Sequence, residues 1–314
     1  MTVINSVIGQ FDSSDLGYTL THEHVMGSQA GILQNYPEFF GPDFMESIVT
    51  GLVQAKNGGI DTIVDASTFE MGRDVSVMAE ASRRSSVNII ATTGCGPDAD
   101  RLVGDWSADQ FADLFVREIE RGIAGTDIKA GMLKSFADVE GVTPGTEIML
   151  RAVARAHLQT GIPIILHSHA AGQVGRQQLR ILKEEGANMK KVKVDHSLDT
   201  TDIEYLTWLL EQGCYLGMDR LPGLGESTKD RIKPIKALID AGWAHRLLPS
   251  HDLMLVMYVP QFPPEIREWM ANGNPDRLLY INKVVNPLLR EMGVSEKVLN
   301  SLFIDNPRNF FEGK

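Results

Sequence analysis

Residues 163–195 read PIILHSHAAGQVGRQQLRILKEEGANMKKVKVD, and their pattern decides the fold. The stretch opens on a short apolar run, Pro163–His167, and closes on an alternating one, Lys191–Asp195. Between them, Leu179, Ile181 and Leu182 fall at helical spacing and stop at Gly186, a residue suited to the end of a helix. Two short strands joined through a helix must lie parallel, because an antiparallel pair would need only a tight turn.

Outward from this unit the same order repeats. Further short, β-branched runs are Tyr18–Leu20, Thr62–Asp65, Asn88–Thr93, Gly131–Phe136, Tyr215–Met218 and Leu247–Ser250. Helical patterns lie between them, one with Phe111, Leu114, Phe115 and Ile119, another from Ile203 to Leu210 before Gly213. Eight strand–helix units predict a closed (β/α)8 TIM barrel of the α/β class, with a doubly wound open sheet as the alternative. No linker or compositional break divides residues 1–314, so one domain is expected. Two connections are long, 27–44 and 253–276; in a barrel both sit over the active end. The second carries Met254, Met257, Tyr258, Phe262 and Trp269, which suits a lid, a substrate-binding wall or a surface helix packed on the barrel.

Composition narrows the class. The chain is 43% hydrophobic and 23% charged, the balance of a globular protein. Its 30 basic against 41 acidic residues give a net charge of −11, which argues against binding nucleic acid or an anionic membrane. Two cysteines, Cys95 and Cys214, make no disulfide framework; with no secretory leader and no apolar span, a cytoplasmic protein is expected.

The chemistry-bearing residues gather at the ends of the runs. His22 and His24 in Thr21-His-Glu-His24 share one face of a strand and can offer two imidazoles to a divalent metal. His167, His196 and Asp252 end three other runs, where a barrel delivers side chains to its catalytic rim. Lys134 lies inside the otherwise apolar Ala130-Gly-Met-Leu-Lys-Ser-Phe136, so it must be neutralised, paired or chemically modified, or else reach solvent from a strand end. Gly223-Leu-Gly225 is an incomplete nucleotide loop after the wrong strand.

In these residues the sequence resembles the phosphotriesterase-like branch of the amidohydrolase superfamily, the lactonases included. The likeness spans nearly the whole chain: Leu20-Thr-His-Glu-His24, Gly72-Arg-Asp74, Ala130–Lys134, His167, His196, Gly217-Met-Asp-Arg220, Ser250-His-Asp252 and Asp305-Asn-Pro-Arg-Asn-Phe-Phe311. The resemblance implies a binuclear metal site, with His22, His24 and Asp252 on the more buried ion and His167 and His196 on the other. It also implies that Lys134, carboxylated by carbon dioxide, bridges both ions as an anionic ligand. Zinc is the default ion, with manganese, cobalt or iron equally compatible with these ligands.

The implied reaction is attack by a metal-bridging hydroxide on the carbonyl of a lactone or carboxylic ester, of the acyl-homoserine-lactone kind, with side activity on organophosphate triesters. Asp252 would move the proton, while Arg220 would orient substrate or instead pair with Asp219 or Asp74. A phosphotriester, phosphodiester or N-acyl amide hydrolase on the same site is the alternative, and a catalytically silent binding scaffold a third. The family further implies a small-molecule substrate and a homodimer.

Three stretches depart from the family's pattern. Thr93-Gly-Cys-Gly-Pro97 lacks the aromatic residue usual near the metals, so a wider or differently shaped pocket is expected there. Asp195 stands before His196, where glycine is more usual, and can alter hydrogen bonding around the site. The loop from Pro97 to Trp106 is short.

Overall fold

The structure, a computed structural model, describes residues 2–314. The chain opens with an antiparallel hairpin of β1 (Val3–Ser6) and β2 (Gly9–Asp12). Nine strands follow: β3 (Thr19–Gly27), β4 (Thr62–Asp65), β5 (Asn88–Gly94), β6 (Met132–Ala137), β7 (Ile164–Ser168), β8 (Val192–Val194), β9 (Tyr215–Met218), β10 (Leu247–Pro249) and β11 (Met254–Met257). They form one sheet in the order β10-β9-β8-β7-β6-β5-β4-β3-β11, with every neighbouring pair parallel. Helices such as Phe44–Asn57, Val75–Ser85, Ala108–Glu120 and Pro144–Thr160 make the crossovers.

Local chemistry explains the helix starts. The Ser107 hydroxyl accepts from the Gln110 amide, and the Gln110 side chain returns the bond to the Ser107 amide. Pro144 occupies a first-turn position where its missing N–H costs nothing. Gly161, at φ +70°, ends that helix in the left-handed conformation.

Both faces of the strands are buried. One face packs Ile63, Ile89, Leu133, Ile164, Val192 and Leu216 against the helices. Alternate residues Val64, Ile90, Met132, Ile165, Tyr215 and Leu248 instead meet one another in a single cluster plugged by Ile4, Phe310 and Phe311. Side chains from β4 to β10 can share one cluster only if the sheet curls until its distant strands face each other. Truncating one of these, such as Ile165→Ala, should cost about 2–5 kcal/mol.

The sheet also curls at its ends. The Thr21 and His22 amides of β3 donate to Ser250 Oγ just past β10, at 2.8 and 3.0 Å. The Asp252 amide donates to the His22 carbonyl at 3.1 Å, and the His24 amide to the Leu253 carbonyl at 2.8 Å. β11 then runs along the outer side of β3, where Gly27 leaves room for Met254; a Cβ on Gly27 would lie 2.2 Å from its sulfur. The segment 253–276 is therefore partly sheet and partly the helix Pro264–Asn272, none of whose residues is buried. Among the described residues no helix is long and apolar enough to cross a membrane.

Candidate metal centre

A register shift in β3 sets the orientation of its histidines. Leu20 pairs with Ile63 and Glu23 with Asp65, so three residues on β3 oppose two on β4. Leu20 thus packs outward with the helices, while His22 and His24 turn toward the site. The His22 Nδ1 lies 2.9 Å from Asp195 Oδ2, and the His24 Nδ1 lies 2.7 Å from Ser67 Oγ. Held at Nδ1, both rings direct Nε2 toward Asp252 Oδ1, at 3.4 and 3.1 Å. His22 Nε2 is buried and has no hydrogen-bond partner.

His167 and His196 face this pair from β7 and the end of β8. His196 Nε2 lies 2.7 Å from His167 Nδ1, and His196 Nδ1 lies 2.7 Å from Asp219 Oδ1. The His22 and His196 rings are 5.1 Å apart between centroids. Phe136 stacks on His167 at 3.9 Å and holds its ring. Lys134 on β6 is 2% exposed, and its Nζ donates to the Ala66 carbonyl at 2.9 Å.

Three of these positions carry backbone strain. His196, Arg220 and Asp252 have φ of +60°, +58° and +57°, a region that costs a non-glycine residue about 1–3 kcal/mol. The surroundings offset it. Glu23, buried between the two β3 histidines, accepts from the His251 amide at 2.9 Å and the Leu253 amide at 3.0 Å. It also meets His251 Nδ1 at 2.8 Å, so both flanks of Asp252 are gripped by one carboxylate. The Asp219 carboxylate holds His196 in the same manner, accepting from its backbone amide and its ring.

Charge follows from burial. Desolvation lowers the pKa values of His22 and His167 and takes His196 down to about 3, so these imidazoles are neutral at pH 7. Desolvation likewise lowers Lys134, toward a free amine. Burial pulls Asp252 the other way, but His22, His24 and Arg220 outweigh it and hold its carboxyl well below the usual range. Neutral imidazoles, a carboxylate and an amine that could take up carbon dioxide make a donor set suited to divalent cations. The unpartnered His22 Nε2 is the atom such a cation would satisfy. His22, His196 and Asp252 each offer a donor atom within 4.8 Å of the others.

All six residues singled out for metal in the sequence line one cavity of about 910 Å3. Its far side is apolar, with Leu224, Phe262, Ile266, Trp269 and Met270. Arg220 also lies there, but its ion-pair partners are Asp252 at 3.2 Å and Asp199 at 2.5 Å rather than Asp219 or Asp74. Asp219 is committed to His196, and Asp74 caps the helix Val75–Ser85. Of the two outcomes expected at Gly94-Cys-Gly96, the pocket is reshaped rather than widened: Glu70 folds over Gly96 and accepts its amide, and a Cβ on Gly96 would lie 3.0 Å from Glu70 Oε1. His169 stays outside the group, 3.7 Å from Asp138.

Glu23, Ser67, Asp219 and Ser250 hold the histidines and Asp252, a role the sequence assigns to none of them. Only Glu23 carried a signal, a carboxylate enclosed between two site histidines. The other three are recognised by what they touch.

A model of the phosphotriesterase family matches residues 2–311. The chain is 38% identical to a phosphotriesterase homology protein of Mycobacterium tuberculosis, over 99% of this chain and 98% of that one. It is 33% identical to the aryldialkylphosphatase of Saccharolobus solfataricus, over 96% of each. It is 27% identical to the N-acetyltaurine hydrolase of Mus musculus, over 99% and 98%. Among solved structures, the phosphotriesterase from Mycobacterium tuberculosis matches with a TM-score of 0.90 and 36% identity, over 99% and 98% of the two chains.

Proposed function

Because the chain belongs to the phosphotriesterase family, we propose that it is a metal-dependent hydrolase of lactones or carboxylic esters, with organophosphate triesters as side substrates. The observation that carries this reading is the convergence of His22, His24, His167, His196, Asp252 and Lys134 on one cavity. The curled parallel sheet is read as a closed (β/α)8 barrel forming one domain, which places these residues at the carboxyl ends of its strands.

In this reading His22, His24 and Asp252 would hold one divalent cation and His167 and His196 a second, with Lys134, carboxylated, as the anionic ligand that would serve both. When bound, such a pair supplies an acidified water and polarises the substrate oxygen. Asp252 takes the proton of the attacking water and delivers it to the leaving group. Arg220, held by Asp199 and Asp252, presents its guanidinium at the cavity wall and orients the substrate. The apolar side with Phe262, Ile266 and Trp269 receives an acyl chain.

Charge speaks against a strongly anionic substrate. Arg220 is paired with Asp199 and Asp252, and Arg231 with Asp199 and Glu226. A phosphorylated dianion would have to break those pairs. An N-acyl amide is the second reading, favoured by the likeness to N-acetyltaurine hydrolase. A panel of lactones, esters, phosphotriesters and N-acyl amides with metal-reconstituted protein decides between them. No lactone or ester turnover refutes the proposal, and well under one divalent ion per chain after reconstitution with bicarbonate removes the ligand assignment. We also propose a cytoplasmic homodimer, tested by cell fractionation and sedimentation.

A further inference from the structure

Behind the candidate metal site lies a buried layer that the proposed reaction leaves unused. Lys193 of β8 and Asp195 just beyond it, two residues apart on one face, are both 0% exposed. Lys193 Nζ lies 2.8 Å from Asp195 Oδ1, and it donates to the Thr21 carbonyl at 2.8 Å and the Thr21 hydroxyl at 3.1 Å. Asp195 Oδ2 then reaches His22 Nδ1 at 2.9 Å. The row ends on His22 Nε2, a buried atom with no hydrogen-bond partner.

The fold reserves space for this carboxylate. Gly217 on β9 faces it, and a Cβ there would lie 2.0 Å from Asp195 Oδ1 and 2.9 Å from Asp219 Oδ2. Stability alone is a poor reason for such a pair, since an apolar replacement of a buried ion pair is often as stable. Proton placement is a better one. His24 is backed instead by the neutral Ser67 hydroxyl, which also reaches the Met26 carbonyl at 3.3 Å and is a weaker acceptor than a carboxylate. A carboxylate only accepts, and the Lys193 ammonium, a donor only, keeps Asp195 in that form. His22 must therefore carry its proton on Nδ1 and present a lone pair at Nε2.

We propose that the Lys193–Asp195 pair is a positioning device that fixes the His22 tautomer, and with it the affinity of the His22–His24 side for a divalent cation. The affinity half rests on reading His22 as a metal ligand; the tautomer half does not. In Asp195→Asn the new amide turns its oxygen toward Lys193 and its NH2 toward His22, which favours the opposite tautomer. In Lys193→Met/Asp195→Ala both charges of the pair are gone and no hydrogen-bonding partner backs Nδ1, the nearest carboxylate being Asp219 at 3.8 Å.

The experiment joins long-range 1H–15N histidine spectra of the metal-free full chain to zinc titration against a competing chelator. Wild type should show the Nδ1–H form of His22, and Asp195→Asn the other form with zinc affinity about 10–100-fold lower. The double variant should regain the melting temperature that Asp195→Asn loses, but not the zinc affinity. A purely structural pair would restore both, and that result overturns the proposal, as does an Nε2–H form of His22 in wild type. A wild-type chain that binds no zinc, yet keeps the Nδ1–H form until Asp195 is changed, refutes the metal reading while supporting the positioning role.

Discussion

The floor of the cavity and its apolar wall are built on opposite principles. On the floor, β3 and the segment 250–253 are joined by six backbone amides: those of Thr21, His22, His251 and Leu253 bonding to Ser250 or Glu23, that of Asp252 to the His22 carbonyl, and that of His24 to the Leu253 carbonyl. In the wall, the helix Pro264–Asn272 has no buried residue, and Phe262 is 39% exposed. It is tied down at its stem, where Arg277 donates to the Leu255 carbonyl at 2.6 Å and Tyr258 stacks on Phe39 at 4.5 Å. The floor fixes atoms and charges, as chemistry requires. The wall offers area and freedom, which is what discrimination among apolar substrates uses.

The comparison breaks first if the floor tolerates change. Lys134→Ala should lose metal and activity together, by more than about 100-fold, which is the upper end for residues that only support a ligand. Partial rescue of turnover by short carboxylic acids should accompany it, and full activity in the variant, measured with metal content, would refute the bridging role. Next, Glu23→Gln should lower kcat about 10–100-fold and destabilise the chain by about 1–3 kcal/mol, because one carboxylate satisfies three donors there. Equal kinetics and melting temperature in wild type and variant would reduce Glu23 to a bystander.

Acid should strain the floor more than the wall. His22, His167 and His196 have folded pKa values below the usual imidazole value, so the unfolded chain binds protons first as pH falls. Their stabilisation is complete above about 6.5, and the metal-free protein should lose stability below that pH, continuing toward about 3 for His196. Denaturant midpoints recorded from pH 8 to pH 4 test this, and a flat profile contradicts it. The smallest effect belongs to the wall. Trp269→Ala should raise KM for a long-chain ester or lactone about tenfold, with kcat and stability nearly unchanged, since it removes binding shared by ground and transition states. A large fall in kcat would place Trp269 with the floor.

Much of this was legible in the chain itself. Alternation of short buried runs with helical patterns required parallel strands, and histidines at the ends of those runs marked one rim. The wall was less legible. An apolar stretch such as 253–276 fits a lid, a wall or packing equally well, and only pairing with β3 separates the strand Met254–Met257 from the exposed helix beyond it. Whether the pocket beside Gly94-Cys-Gly96 is wider or reshaped was unreadable too, because Glu70, which lies over Gly96, comes from another strand's loop.

By itself the sequence determined the strand–helix order, the acidic balance and the histidines and aspartate that end its short runs, because periodicity and residue type are local properties. Tertiary structure decided the rest. The register shift after Leu20 turned His22 and His24 inward, the Glu23 grip held Asp252 in a strained conformation, and Gly217 made room for Asp195 beside His22. Each joins strands far apart in the chain, and such contacts depend on how the sheet curls, which no local pattern specifies.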